Sequence, residues 1–278
     1  MDEITLKKHL LDLKNEESSW NDTNQPELLN AMLEHIGSPD PELRDELIYR
    51  QFSQIIHNGD HLSDETLVDL LTKVLGDEYL FYEIGEVGTD HVFKRSFSVL
   101  LIRLILNKDL ERSFISLPLL DKARTELLLY LDLEHDLRGY VSEKGWAHNV
   151  AHTADAIDEL VKNPKLNVQY FPAIFQALVN KVFTFDDVYI ADEDERILAP
   201  IKTMLEIGLS FETVEDLFDK IPTFLKRQKD KIDEEKYLKL YANCKHFLKS
   251  FYICASSNDK WPPIQQRIGR CLKEISFA

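Results

Sequence analysis

The chain has 278 residues, 44% of them hydrophobic, and a formal net charge of −16. That apolar share supports a continuous core and sets disorder aside. The acidic balance argues against a broad nucleic-acid surface and against docking on anionic lipid.

Nine glycines, ten prolines and abundant Leu, Glu, Asp and Lys favour helices over strands. Thr5 to Glu17 and Pro26 to Ile36 read as two N-terminal helices. Asp40-Pro41-Glu42 opens a third: Asp suits the N-cap, Pro the first helical position, and Glu the positive end of the helix dipole. This helix is expected to run to about Asn58, with Gly59 and Asp60 as its stop and Ser63-Asp64-Glu65 capping the next. Further long helices are predicted near His91, Glu143, Asp192 and Asp233. Their partners start near Leu117, Val168, Ser210 and Lys260.

Successive pairs recur at roughly forty to fifty residues, the period of HEAT and armadillo repeats. A helix pair cannot bury its apolar stripe alone, so pairs stack into a superhelix. The expected fold is therefore an all-α, HEAT/armadillo-like, right-handed stack of antiparallel helix pairs. It forms a single repeat-like domain over 1–278, in which helices within 1–38 pack on the first pair. An irregular helical bundle is the competing architecture. The start, Met1-Asp2-Glu3, lacks an apolar signal core. The apolar run Val99 to Leu106 is short and interrupted by Arg103, so it cannot span a bilayer. Cys244, Cys254 and Cys271 form no Cys-x-x-Cys pair and read as reduced thiols of a cytoplasmic protein.

Polar chemistry concentrates between Asp136 and Asp155. Gly139 and Gly145 flank a short loop, Ser142 is the expected N-cap of a helix from Glu143, and Trp146 falls in its first turn, plugging a junction between repeats. On that helix His148, His152, Asp155 and Glu159 share a polar face, with Trp146, Val150, Ala154, Ile157 and Val161 opposite. Two imidazoles at i and i+4 with Asp155 nearby could chelate a transition metal. Asn149 stands where a zinc-protease helix needs its general-base Glu, which disfavours that class. Solvation of the whole face is the plainer reading.

Arg95, His148 and Arg196 occupy early turns of successive long helices. In a stack these turns line one rim, and a groove of Arg95, Arg138, Lys144, Trp146, His148, His152 and Arg196, with Asp155 and Glu193 as partners, would suit a polar or anionic ligand. The acidic run Asp192 to Glu195 also fits a helix start, and Lys226 to Lys231 fits a solvated helix end. Gly85-Glu-Val-Gly88 is a turn rather than a phosphate loop, and no Gly-x-Ser-x-Gly elbow occurs.

Arg138-Gly-Tyr-Val-x-x-Lys-Gly-Trp-Ala-His-x-x-Ala-His152 resembles a bacterial family, the domain of unknown function numbered 2785. Asp90-x-Val-Phe-x-Arg-Ser-Phe-Ser98 and Glu193-Asp-Glu-Arg196 are further landmarks, and the resemblance covers the chain from about Pro41. It implies an all-helical protein and brings no reaction, cofactor or catalytic residue. The functional expectation is a cytoplasmic protein that binds a small polar or anionic ligand or a peptide in a groove, without nucleic acid, membrane or cofactor. One alternative is a metal-assisted hydrolase using a divalent metal on His148, His152 and Asp155. Another is a pure protein-interaction scaffold. Oligomeric state is not legible.

Overall fold

In the computed structural model the described residues are 1–58 and 61–276. The expected stop at Gly59 and Asp60 lies outside them. The protein is all-α, 70% helical, with twelve α-helices among the described residues. Among the described residues no helix is long and apolar enough to cross a membrane. The chain divides into two compact units, Met1–Ala156 and Ile157–Ala278.

In the first unit, α1 (Glu3–Lys14) and α2 (Gln25–Glu34) precede a π-helical segment, Glu42–Tyr49, that continues as α3 (Arg50–His57). Asp40 opens this segment as expected: its Oδ1 accepts from the N–H of Glu42 at 2.9 Å. The N-terminal helices are joined to the segment by Lys7, whose Nζ pairs with Asp40 and Glu42 at 2.5 and 2.7 Å. Ser63 caps α4 (Asp64–Val74) through the Thr66 N–H, and Ser116 caps α6 (Leu117–Leu133) through that of Leu119. Between them runs α5 (His91–Arg112). It is buried on nearly every side, from Val92 and Phe93 to Ile105 and Leu106, and packs against α3 and α4. A helix apolar all round is the centre of its unit. Gly37 lets the chain approach α5 closely, since a Cβ there would collide with the backbone of Lys94.

The segment after α6 departs from expectation. Instead of a helix from Glu143 it forms a hairpin, β1 (Tyr140–Val141) antiparallel to β2 (Gly145–Trp146), with Tyr140 opposite Trp146. Glu143 and Gly145 take φ of +65° and +79°, the left-handed conformations that a short hairpin loop requires. Ser142 is therefore a turn residue, not an N-cap, and α7 (Asn149–Lys162) starts six residues later than predicted.

The second unit contains α8 (Phe171–Val182), α9 (Glu193–Ile207), α10 (Phe211–Lys229), α11 (Glu234–Ser256) and α12 (Pro262–Ser276). Ser210 and Asp233 cap α10 and α11. α10 ends on Lys226, Arg227 and Lys229, as a basic helix end should. α11 packs against α8, α9, α10 and α12, around Phe218, Phe247, Phe251 and Trp261. No disulfide joins the three cysteines. Burial raises the Cys244 thiol pKa and pushes that of Cys271 up to about 12, so neither is a thiolate near neutrality.

Candidate functional site

The hairpin is held from beneath by buried charge. Arg95 of α5 is fully buried, and its guanidinium makes five hydrogen bonds. Nε donates to Glu134 Oε2 at 2.6 Å and Nη2 to Oε1 at 3.0 Å. The other three reach the carbonyls of Tyr82, Glu83 and Glu86 at 3.1 to 3.2 Å. All five donors are thus satisfied by the protein itself. Burial alone would pull the Arg95 pKa down; the Glu134 carboxylate outweighs it, and the net shift is upward. Arg95 therefore staples the turn around Gly85 to the end of α6, and no N–H is left for a ligand in the expected groove.

Glu134 also accepts from the Tyr130 hydroxyl and the Asp136 N–H, both at 2.9 Å. Burial, then the Glu134 charge, raise the Tyr130 pKa well above the ordinary phenol value. Asp136, fully buried, accepts from the Gly88 N–H at 2.9 Å and from Nη2 of Arg138 at 2.6 Å. Arg138 also reaches the Thr89 carbonyl at 2.5 Å. So the predicted Gly85–Gly88 turn is a turn, and two charged residues anchor it.

The other flank rests on Arg44, from the π-helical segment. Its guanidinium lies 4.1 Å from the centroid of Phe93 and 4.8 Å from that of Phe97, a stacked arrangement that suits a buried arginine. Nη2 donates to the Lys144 carbonyl at 2.6 Å, Nη1 to that of Ser38 at 2.8 Å, and Nε to Asp45 at 2.8 Å. Burial lowers the Arg44 pKa despite Asp45 and raises that of Asp45 despite Arg44. Gly145 must be glycine twice over. Its φ is positive, and a Cβ would sit 3.1 to 3.3 Å from Pro41, Arg44 and Asp45.

Behind the hairpin, Ser96 Oγ donates to the Ala147 carbonyl and lies 2.7 Å from Nδ1 of His152. A serine has one proton to give. With it committed to the carbonyl, His152 must carry its own on Nδ1 and donate to Ser96. This is the reverse of an activated serine nucleophile, in which the imidazole accepts. Asn149 donates to the Asp136 carbonyl, while its Oδ1 is buried with no hydrogen-bond partner among the described residues.

His152 is only 8% exposed and Glu159 5%, so the expected outward polar face is not one. His148 precedes α7 with φ of +47° and stacks on Trp146 at 4.9 Å. Trp146 is 42% exposed, an outward strand residue rather than a plug between repeats. Among the described residues no group of three or more His, Cys, Asp or Glu side chains could hold a metal ion. This corrects the metal reading of His148, His152 and Asp155. That reading assumed one continuous helix face, and α7 begins only at Asn149.

Outside, Tyr140 is 62% exposed and meets Trp146 edge to face at 5.2 Å. The rings continue inward through His148 and His152 to Phe97. Lys144 projects beside them and pairs with Asp90 at 2.7 Å. The first unit thus gathers Arg95, Arg138, Lys144, Trp146, His148 and His152 around one hairpin, with Arg95 as a buried support. Asp155 is half-buried farther along α7. Glu193 and Arg196 belong to the second unit. Glu193 is buried and accepts from the Ala191 N–H, two residues ahead of it in the preceding loop, at 2.9 Å, and Arg196 is half-buried on α9.

The residues missed from sequence are Arg44, Ser96, Glu134 and Asp136. Arg44 was detectable, because it stands in the apolar register of Leu43, Leu47 and Ile48, where a charge must be paired. The other three carry no local signal.

A family described as a protein of unknown function, DUF2785, matches residues 80–253. The chain belongs to this family. The match covers the hairpin, the Gly85–Gly88 turn that supports it and most of the second unit, and it begins later than the expected Pro41. No curated protein and no solved structure matches the chain.

Proposed function

We propose that this DUF2785 member is a binding protein. It holds a small polar or anionic ligand, or a peptide, against the outer face of the Tyr140–Trp146 hairpin. The observation that carries this reading is a contrast in burial. Exposed Tyr140 and Trp146 stand on a four-residue strand pair whose base is fixed by fully buried Arg44, Arg95 and Asp136. Rigid aromatic side chains give contact area at low entropic cost, and a surface loop held by buried ions is pre-organised. Lys144 and Arg138 flank the rings as ion pairs with Asp90 and Asp136, and present polar groups to a ligand. The reading needs no cofactor and no catalytic residue. It goes with a cytoplasmic setting, supported by three free thiols. It also goes with a single stack of helix pairs, supported by the capped helix succession.

The test exploits Trp146, since Trp20 and Trp261 are 6% and 2% exposed. Dicarboxylates, phosphomonoesters and short acidic peptides are titrated while tryptophan emission is followed. A saturable change that Trp146→Ala abolishes and His148→Ala weakens is expected. A ligand that raises the melting temperature equally in the parent and in Trp146→Ala would place binding elsewhere and sink the reading.

A further inference from the structure

A second recess lies in the other unit, where α11 meets α12, and the hairpin reading does not use it. It has a volume of about 380 Å³ and is lined by Tyr252, Gln265, Gln266, Gly269, Arg270 and Lys273. Gln266, Gly269, Arg270 and Lys273 are spaced three, four and seven apart, which puts them on one face of α12. A different stripe of that helix, Ile264, Ile268, Cys271 and Ile275, is buried and fixes its rotation. Gly269 leaves the α12 backbone open to Tyr252: a Cβ there would meet the ring's Cε2 at 3.5 Å. Tyr252 itself is 38% exposed, so its ring forms a wall of the recess.

The charge of this recess is unusual for the chain. Its lining has two cations and no carboxylate, in a protein of net charge −16. The neighbouring Arg267 is neutralised by Asp219 at 2.7 Å and Glu215 at 3.9 Å. Among the described residues no carboxylate lies within ion-pair distance of Arg270 or Lys273. Asp219 and Glu274 line an adjacent recess that Arg270 also borders.

We propose that this recess binds a small phosphate monoester carrying a planar ring. The Arg270 fork and the Lys273 ammonium hold the phosphate, the Gln265 and Gln266 amides donate to its remaining oxygens, and the ring stacks on Tyr252. A planar fork matches phosphate geometry, and an ammonium adds a second point charge. An aromatic wall discriminates a ring-bearing phosphate from phosphate alone.

Phenyl phosphate, with inorganic phosphate and phenol as comparators, is titrated into the intact chain by calorimetry. Phenyl phosphate should bind saturably and more tightly than either comparator. Arg270→Gln with Lys273→Gln should weaken it by at least about tenfold. Tyr252→Leu should bring it to the level of inorganic phosphate. Lys231→Gln, in the basic segment after α10, should change nothing. The substituted side chains are exposed, and unchanged melting curves verify folding. Absence of saturation up to about 10 mM overturns the proposal, because that marks binding weaker than a specific site gives. So does an equal loss in Lys231→Gln, which would mean general charge attraction, or indifference to the Arg270 and Lys273 pair of substitutions. Trp146 emission is followed in the same titrations, so heat from the hairpin is told apart from heat of this recess: the Arg270 and Lys273 pair of substitutions should remove the recess heat and leave any Trp146 response unchanged, and failure here leaves the hairpin reading to its own test.

Discussion

Two irregular segments, one in each unit, lead into a long helix, and they are secured by opposite means. Residues 134–148 precede α7 and rest on buried ions: Arg95 with Glu134, Arg138 with Asp136, and Arg44 against the Lys144 carbonyl. Residues 183–192 precede α9, and a neutral amide holds three of their backbone groups, with the Glu193 carboxylate taking the Ala191 N–H. Asn243 of α11 is buried. Its Oδ1 accepts from the Tyr189 N–H at 3.0 Å, and its Nδ2 donates to the carbonyls of Asp187 at 2.9 Å and Thr184 at 3.2 Å. Both satisfy the backbone groups that a non-helical segment would otherwise bury unpaired. They differ in what failure costs. An amide that loses its partners leaves neutral dipoles, whereas a broken ion pair leaves a charge in a low-dielectric interior. The ionic solution supports the exposed aromatic surface.

The largest expected effect tests that difference directly. Arg95→Met should destabilise the protein by about 3–5 kcal/mol in urea unfolding, because the buried Glu134 carboxylate loses its arginine. Arg95→Met with Glu134→Leu should recover a substantial part. A loss below about 1 kcal/mol for the single change would remove the contrast altogether. Asn243→Ala should cost about 1–3 kcal/mol, and amide exchange should accelerate across 184–189 while 134–148 is unaffected.

Tyr130→Phe sharpens the comparison through pH. The folded-state pKa of this phenol is raised above the ordinary 10.0 by burial and by Glu134. Its stabilising contribution is therefore complete below about pH 10 and is lost as pH rises through the raised value. Melting temperatures measured between about pH 9 and 11.5 should fall more steeply for the parent than for Tyr130→Phe. Equal slopes would mean that the hydroxyl is not held protonated by the network. The smallest effect is that of Trp146→Ala. This outward residue should shift stability by no more than about 0.5 kcal/mol, although it removes the ligand response proposed above.

The same contrast explains what the sequence could tell. Ser63, Asp40, Ser210 and Asp233 announced helix starts because a cap is a local device, satisfied within three residues. The rhythm of long and partner helices followed from these caps and from apolar spacing. The hairpin did not. Its strands are two residues each, too short for alternation to register, and the Lys144-Gly-Trp stretch reads equally well as a helix entry. His152 illustrates the harder case. Helical spacing alone put it opposite Val150 and Ala154, away from the core and toward solvent or a groove. Its burial comes from Ser96 and Phe97 on α5, more than fifty positions away in sequence. Glu134 and Asp136 likewise look like ordinary acids after a helix until Arg95 and Gly88 are placed beside them.

The bond from Arg44 to the Lys144 carbonyl spans 100 positions of chain. Closing so long a loop has an entropic cost that local helix formation does not incur, and contacts of this range slow the search for the native state. The hairpin should therefore be seated late, after α5 and its neighbours have collapsed. Trp146 then serves as a clock: in stopped-flow refolding its emission should settle after far-ultraviolet helicity has already returned.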